Sequence, residues 1–542
     1  MIKLRRSHVF SIFTAGFLAG AVALGFNFIL RLGGIAAFPP ESALSAFLRV
    51  IPASIEEPAV EQLGELAGEL GLVIATLIAA VVYGVIAVVF DALAARRIAS
   101  MKLGRMEILL ISGIIPWLLF GLVVFPLDGD SIFGIAAPFA TGAGAWTFPF
   151  TLLLAQAVYA WALSARYDPR LPAVAAAQGA APQQDVARRE FIEKGAIGVL
   201  AVLAALVGLT SLFPTAPSQL QPGGGGQPVD LQDAPAIFSD PRIANVVDYE
   251  ITPNQDFYRV AVDIIDPAVN LDNWSLMVDG LVNTPKQYSL QDVKNLQGTS
   301  QYTTFECVSN TVNGSLASNA KWGGVKIKDI LADAGGVQPS AKYVAFHSVE
   351  GYSVGIPIEK AMMDDSIVAY SMNDQPLPVK HGFPLRGVIP GLYGMMSAKW
   401  LDKISVVGSV YVGFWQSRGW TSDATVNTGT FIVAPESSQV SVSQNNGSII
   451  LAGYAFAGDR GVSKVEVSLD NGRTWQQAQL KKPLSNLTWA VWAFEWVSPA
   501  PGNYNIIART TDGTGQVQTA TAAPPFPGGA TGYAAVSLQV TS

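Results

Sequence analysis

The chain has 542 residues and a formal net charge of −7; half of it is hydrophobic and only 14% is charged. One cysteine and three histidines exclude an intrachain disulfide, a cysteine-cluster metal site and a histidine-rich zinc site. The negative balance gives no electrostatic footing for nucleic acid.

Apolar residues concentrate before residue 213, in five runs at 9–30, 70–90, 108–126, 138–163 and 197–212. A bilayer crossing needs ~20 such residues, so these runs predict a bundle of five membrane helices. Lys3, Arg5 and Arg6 precede the first run, and Arg96, Arg97, Lys102 and Arg105 follow the second. Arg166, Arg170, Arg188, Arg189 and Lys194 lie between the fourth and fifth, while the alternate loops are acidic. The positive-inside rule then predicts a multi-pass protein of the cell membrane with a cytoplasmic N-terminus. Everything after the fifth span falls on the extracytoplasmic side. Arg188 and Arg189, ahead of a modest apolar run, resemble a twin-arginine export signal placed inside the chain. The positive-inside rule alone yields the same pair. His8 is the one histidine near a span, so no haem is expected in the bundle. The spans also lack central charge pairs, which reads as an anchor in the lipid bilayer or a docking surface for a membrane partner.

Residues 214–236 include PTAPSQ and QPGGGGQP, too rich in Pro and Gly to pack a core, and read as a linker after an anchor at 1–213. From 237 to 425 short strands (274–278, 343–347) mix with helical patches (290–296, 327–334), predicting an α+β domain. From 426 to 542 strands alternate with turns at 448–455, 462–469, 489–496 and 504–509. That spacing predicts an immunoglobulin-like β-sandwich without the inter-sheet disulfide. The chemistry-bearing stretch is 373–404, with His381 and Arg386 five apart, Lys399, and prolines and glycines that build rigid loops. Backbone N–H groups with His, Arg and Lys donors suit an anionic cofactor, whereas a basic surface loop is the plain alternative. Cys307, in TTFECVSNTVNG, reads on its own as a small buried apolar residue.

Four ordered blocks from residue 251 onward resemble the sulfite oxidase family of molybdopterin-dependent oxidoreductases. They are ITPNQDFYRV (251–260), FECVSN with AKWGGVKIKDIL (305–310 and 320–331), LPVKHGFPLRGVIPGLYGMMSAKWL (377–401) and GFWQSRGW (413–420). VSKVEVSLDNGRTWQQAQL then resembles the family's C-terminal sandwich, often a dimerisation module. The resemblance implies a molybdenum–molybdopterin cofactor with Cys307 as the thiolate ligand of the metal. It implies contacts to the cofactor from Tyr258, Arg259, Ser348, His381, Arg386, Ser397, Ala398 and Lys399. Arg259, Arg418 and Trp420 would face the reacting centre beside Cys307.

Two positions depart from the family. Val312 stands where sulfite oxidases carry an arginine, and Trp420 where they carry a tyrosine. The expected function is therefore two-electron oxygen-atom transfer on a small sulfur-type substrate, with sulfite itself disfavoured. No haem domain precedes the molybdenum domain, which implies a separate electron-transfer partner. The sandwich implies a homodimer. The competing expectation is a membrane-anchored binding protein that keeps the fold without metal.

Overall fold

A computed structural model describes residues 6–32, 38–50, 65–101, 113–124, 147–164, 231–262, 266–267, 269–441 and 447–541. They divide into two compact units, an N-terminal helical one and a β-rich one. The fifth apolar run at 197–212, Arg188 and Arg189, and the linker to residue 230 lie outside the described residues.

In the helical unit, two helices, Val9–Arg31 and Leu70–Phe90, are long and apolar enough to cross a bilayer. Gly113–Val124 and Phe150–Trp161 are apolar but shorter, so 108–126 and 138–163 are only partly represented among the described residues. Helix Arg6–Leu32 carries Gly16 and Gly20 one turn apart, and this small-residue stripe is what lets helix Glu65–Met101 approach. A Cβ on Gly16 would strike Ala87, and one on Gly20 would enter the Tyr83 ring. The tyrosine's polar end is satisfied inside the bundle: its hydroxyl donates to Gln156 Oε1 at 2.9 Å. Tyr159 Oη in turn donates to the Tyr83 carbonyl at 3.3 Å. Arg31 and Glu41 form an ion pair at 2.9 Å, both sides largely buried.

Among the described residues of the β-rich unit, from 231 onward, lie ten strands and then nine more. The first set is β1 (Leu276–Gly280), β2 (Lys286–Tyr288), β3 (Gly298–Glu306), β4 (Ala317–Lys326), β5 (Tyr343–Ser348), β6 (Ser353–Pro357), β7 (Ile367–Met372), β8 (Gln375–Pro376), β9 (Arg386–Val388) and β10 (Leu401–Val407). One sheet runs β2-β1-β10-β5-β6, with β1 and β10 parallel; the other runs β3-β4-β7-β8, with β9 against β7. Between the strands, helix Leu290–Asn295 begins with a capping box in which Ser289 and Asp292 satisfy each other's backbone amides. Phe305, Trp322, Ile367 and Val388 make the core that backs the β3 sheet. Its central feature is mutual: β3 and β4 pair without interruption from Gly298↔Val325 to Glu306↔Ala317. Strand β3 therefore delivers Cys307 at a fixed height, one residue past its end.

The second set is β11 (Gly429–Ala434), β12 (Gln439–Ser441), β13 (Ser448–Phe456), β14 (Val462–Ser468), β15 (Gln476–Gln477), β16 (Gln479–Leu480), β17 (Ala490–Val497), β18 (Gly502–Asp512) and β19 (Ala534–Thr541). They form a sandwich of a β11-β13-β17-β16 sheet and a β12-β19-β18-β14-β15 sheet. Inward Ile449, Leu451, Val465, Val467, Trp492 and Ile506 fill the space between. The loop 481–489 of this sandwich grips β3. The Thr304 amide donates to the Leu487 carbonyl at 3.0 Å, and the Trp489 amide to Thr304 Oγ1 at 2.9 Å. Beside it the Lys481 ammonium meets the Glu250 carboxylate at 2.9 Å, with both side chains at most 5% exposed.

Candidate functional site

Cys307 is buried, and its amide donates to the Leu316 carbonyl at 2.9 Å, which starts a tight loop after β3. Asn310 closes that loop. Its Nδ2 donates to Glu306 Oε1 at 2.9 Å, and its Oδ1 accepts from the Leu316 amide at 2.9 Å. The Cys307 Sγ lies 3.1 Å from Ser309 Oγ. Burial pushes the Cys307 thiol above its ordinary range, against the opposing pull of the Ser309 hydrogen bonds. A bound cation reverses that balance, because a coordinating thiol loses its proton outright.

Beside the thiol's segment stand residues from two other stretches, at 258 and 381–399. Tyr258 feels Cys307, Arg386 and Glu306, and burial raises its phenol far above the usual range. Its hydroxyl abuts Gly394, where a Cβ would collide with it. Arg386 heads β9 and is fully inside. Its Nη1 donates to the His381 carbonyl at 3.1 Å and its Nη2 to the Ser397 carbonyl at 3.3 Å. Its guanidinium lies over the stacked Phe305 and Trp322 rings at 4.8 and 5.1 Å. Burial lowers it to about 10, so it stays cationic at neutral pH. Ser397 Oγ accepts from the Ile389 amide at 3.1 Å, and Lys399 lies over the Trp400 ring at 4.2 Å. Gly382, at φ +113°, turns the chain between His381 and Arg386, and a Cβ there would press on Lys399 and Arg386.

His381 is 1% exposed and its Nε2 lies 2.7 Å from the Asn254 carbonyl. Burial holds its imidazole well below the usual range, reinforced by Arg386, Lys380 and Lys399. A neutral ring beside a carbonyl carries its proton on Nε2, which leaves Nδ1 as an acceptor for a donor edge.

The remaining expected residues divide. Arg259 is half-buried in the segment after Tyr258, and Ala398 is buried between Ser397 and Lys399. Ser348 ends β5 and is buried. Arg418 folds onto its own turn, over the Phe414 ring at 3.5 Å, with Nη1 donating to the Phe414 carbonyl at 2.9 Å. It still reaches Tyr352 electrostatically. Trp420 is buried, and its contacts run to Trp415 and to Phe526 of the sandwich. Val312 lies at the loop's solvent edge, 36% exposed.

Three site neighbours carry no sequence signal of their own. Tyr352 lies within electrostatic reach of Cys307, is buried, and donates to the Met395 carbonyl at 2.6 Å. Tyr393 feels both Glu306 and Cys307. Glu306 reads in sequence as a mere lead-in to the cysteine. In the fold its Oε2 lies inside without a hydrogen-bond partner among the described residues, and burial raises the acid to about 7. Only the GLYG setting of Tyr393, inside the His381–Lys399 stretch, could have marked one of the three.

The donor set fits a molybdopterin. Arg386 Nε and Ser348 Oγ are buried with no hydrogen-bond partner among the described residues. Unmatched buried donors cost free energy unless a ligand meets them. Cationic Arg386 and Lys399 suit a phosphate, His381 Nδ1 suits a ring N–H, and a single buried thiol suits a soft metal.

Comparison with known proteins gives the same assignment. Residues 263–415 match the oxidoreductase molybdopterin binding domain, and residues 420–524 the Mo-co oxidoreductase dimerisation domain. The mitochondrial sulfite oxidase of Rattus norvegicus is 30% identical over 321 residues, covering 51% of this chain and 58% of that protein. The sulfite oxidase of Arabidopsis thaliana is 29% identical over 337 residues, covering 51% of this chain and 84% of that protein. The uncharacterized oxidoreductase YuiH of Bacillus subtilis (strain 168) is 37% identical over 151 residues, covering 28% of this chain and 74% of that protein. The chain spans 43–58% of the length of its rodent relatives. With both domain matches in order around Cys307, the chain belongs to the sulfite oxidase family of molybdopterin-dependent oxidoreductases.

Proposed function

We propose that the protein is a membrane-anchored, extracytoplasmic molybdenum-cofactor oxidoreductase that moves an oxygen atom to or from a small sulfur compound. The observation that carries the reading is the convergence of Cys307, Tyr258, Arg386 and His381 from three segments on one buried centre. When bound, the molybdenum centre supplies a two-electron redox couple and an open coordination position. Cys307 would hold the metal. His381, Arg386, Ser397, Ala398 and Lys399 would hold the pterin and its phosphate, with Tyr258, Arg259 and Ser348 closing the remaining contacts. Arg259, Arg418 and Trp420 would orient the substrate.

The reaction balances as sulfoxide plus two electrons and two protons giving sulfide plus water, or as the reverse oxidation. Loss of a cation at Val312 and gain of an indole at Trp420 favour a neutral substrate over a dianion. Five spans with a cytoplasmic N-terminus, export of the catalytic half, a homodimer through the sandwich and a separate electron-transfer partner complete the reading. The two long apolar helices and the dimerisation-domain match support the anchor and the dimer.

The test is turnover with artificial redox dyes, methionine sulfoxide against sulfite. The expected result is a higher kcat/KM for the sulfoxide. Robust sulfite oxidation with no sulfoxide reduction would overturn the assignment of Val312 and Trp420.

A further inference from the structure

The sandwich turns one loop back onto the chain at Gly419–Thr421, and that loop begins where the matched dimerisation residues 420–524 end. Residues 524–530 read PPFPGGA, a rigid stretch closed on itself by the Gly529 amide donating to the Pro525 carbonyl at 2.6 Å. Phe526 meets the Trp420 indole edge-on, centroids 5.3 Å apart at 78°. Gly419, at φ +95°, lets the chain turn under that ring, and a Cβ there would lie 3.3 Å from it.

The loop is latched from both sides of the contact. The Thr421 amide donates to the Pro527 carbonyl at 2.9 Å. Asn427 Nδ2 reaches the carbonyls of Gly528, Gly529 and Ala530 at 3.2, 3.1 and 3.3 Å. The Asn427 amide donates to Tyr393 Oη at 3.2 Å, and Gly529 abuts that same hydroxyl so closely that no side chain fits. Tyr393 is itself within electrostatic reach of Cys307. Trp420, meanwhile, is buried with an indole N–H that meets no acceptor among the described residues.

A rigid loop of the sandwich, pinned by Thr421 from outside it and at three carbonyls by its own Asn427, to hold one ring against one indole, is more than a surface connection. We propose that the 524–530 loop is a specificity wall for the site: Phe526 is a positioning residue that fixes the Trp420 indole and limits the bulk of the substituent a neutral S-oxide can carry. The inference rests on the reading that Trp420 lines the substrate position. The unmatched indole N–H then supplies a neutral donor for an S=O oxygen, and Phe526 fixes the distance from that donor to the wall.

The experiment uses the full chain, purified in detergent with its cofactor, as wild type, Phe526→Ala and Phe526→Leu. Calorimetry measures binding of two non-reacting probes, dimethyl sulfone and methyl phenyl sulfone, alongside kcat and KM for the matching sulfoxides. Phe526→Ala is expected to shift the affinity ratio toward the phenyl probe by ~10-fold, a change of about 1.4 kcal/mol. For the sulfoxides, the change should fall on KM, most for the phenyl compound, more than on kcat, the split expected of a residue that acts on pocket size through Trp420. Phe526→Leu, which keeps apolar bulk, should fall between, and it decides the matter if the alanine variant does not fold. A ratio unmoved in the variants, or equal weakening of both probes together with a collapse of kcat, would overturn the role of Phe526. A wild-type chain that carries no molybdenum would instead refute the functional reading beneath it.

Discussion

Replacing Lys481 by Met leaves the Glu250 carboxylate buried without its cation. The ammonium is bonded to both carboxylate oxygens, at 2.9 and 3.2 Å, and both side chains are at most 5% exposed. Breaking such a pair from one side costs about 3–5 kcal/mol, whereas removing both partners is often nearly neutral. At about 2–4 °C per kcal/mol for a domain of this size, the variant should melt roughly 6–20 °C lower. Burial already pushes the Glu250 acid up, against the pull of Lys481. Without Lys481 the folded state holds a proton that the unfolded chain releases above its ordinary value of 4.5. Stability is then retained at low pH and lost as pH rises through the folded value, so the deficit should shrink between pH 8 and pH 5. Scanning calorimetry at one fixed scan rate, on Lys481→Met and on Glu250→Gln/Lys481→Met, measures both effects. A deficit that is the same at both pH values, or a double variant worse than the single one, would refute the ion-pair argument.

Acid should destabilise the fold through His381, whose imidazole burial holds well below the usual range. The unfolded chain takes up a proton near pH 6.5 that the folded chain refuses, so stability present above that pH is lost below it, by at most ~1.4 kcal/mol per pH unit. His381→Gln should remove its share of the acid-side loss in denaturant titrations at pH 5–7, leaving the part due to His347, also lowered by burial, and the opposite-sign part from Glu306 and Asp402, raised by burial to about 7 and about 6; a slope equal to wild type would contradict it. In the helical unit, Gly20→Leu drives a side chain into the Tyr83 ring. A loss of about 1–3 kcal/mol is expected, read as earlier thermal unfolding in detergent, and an unchanged transition would count against the close helix crossing.

Much of this architecture is readable from periodicity. The strands expected at 343–347, 448–455 and 462–469 are β5, β13 and β14 within one residue at either end. The strand expected at 274–278 starts later, at Leu276, while Trp274 ahead of it is buried with its Nε1 donating to the Leu401 carbonyl at 3.1 Å. Strand β3 escaped notice because GTSQYTTFE is polar along much of its length. Its pairing comes from β4 and from the 481–489 loop, contacts far away in sequence. The basic stretch that the fold buries was legible because His381, Arg386 and Lys399 lie close together in the chain. Glu306, Tyr352 and Phe526 were not, since each gains its environment from a distant segment. Phe526 meets Trp420 across more than a hundred residues, and no local pattern encodes that meeting.

Metal content tests the central claim most directly. Protein expressed in a host that makes molybdopterin, then purified as the full chain, should carry about one molybdenum per chain by elemental analysis, as expected where a single thiolate ligates the metal. Cys307→Ser should lose that molybdenum while keeping its far-UV circular dichroism. A wild-type chain without molybdenum, or a Cys307→Ser chain that retains it in full, would contradict the assignment of Cys307 and leave the membrane-anchored binding protein as the better account.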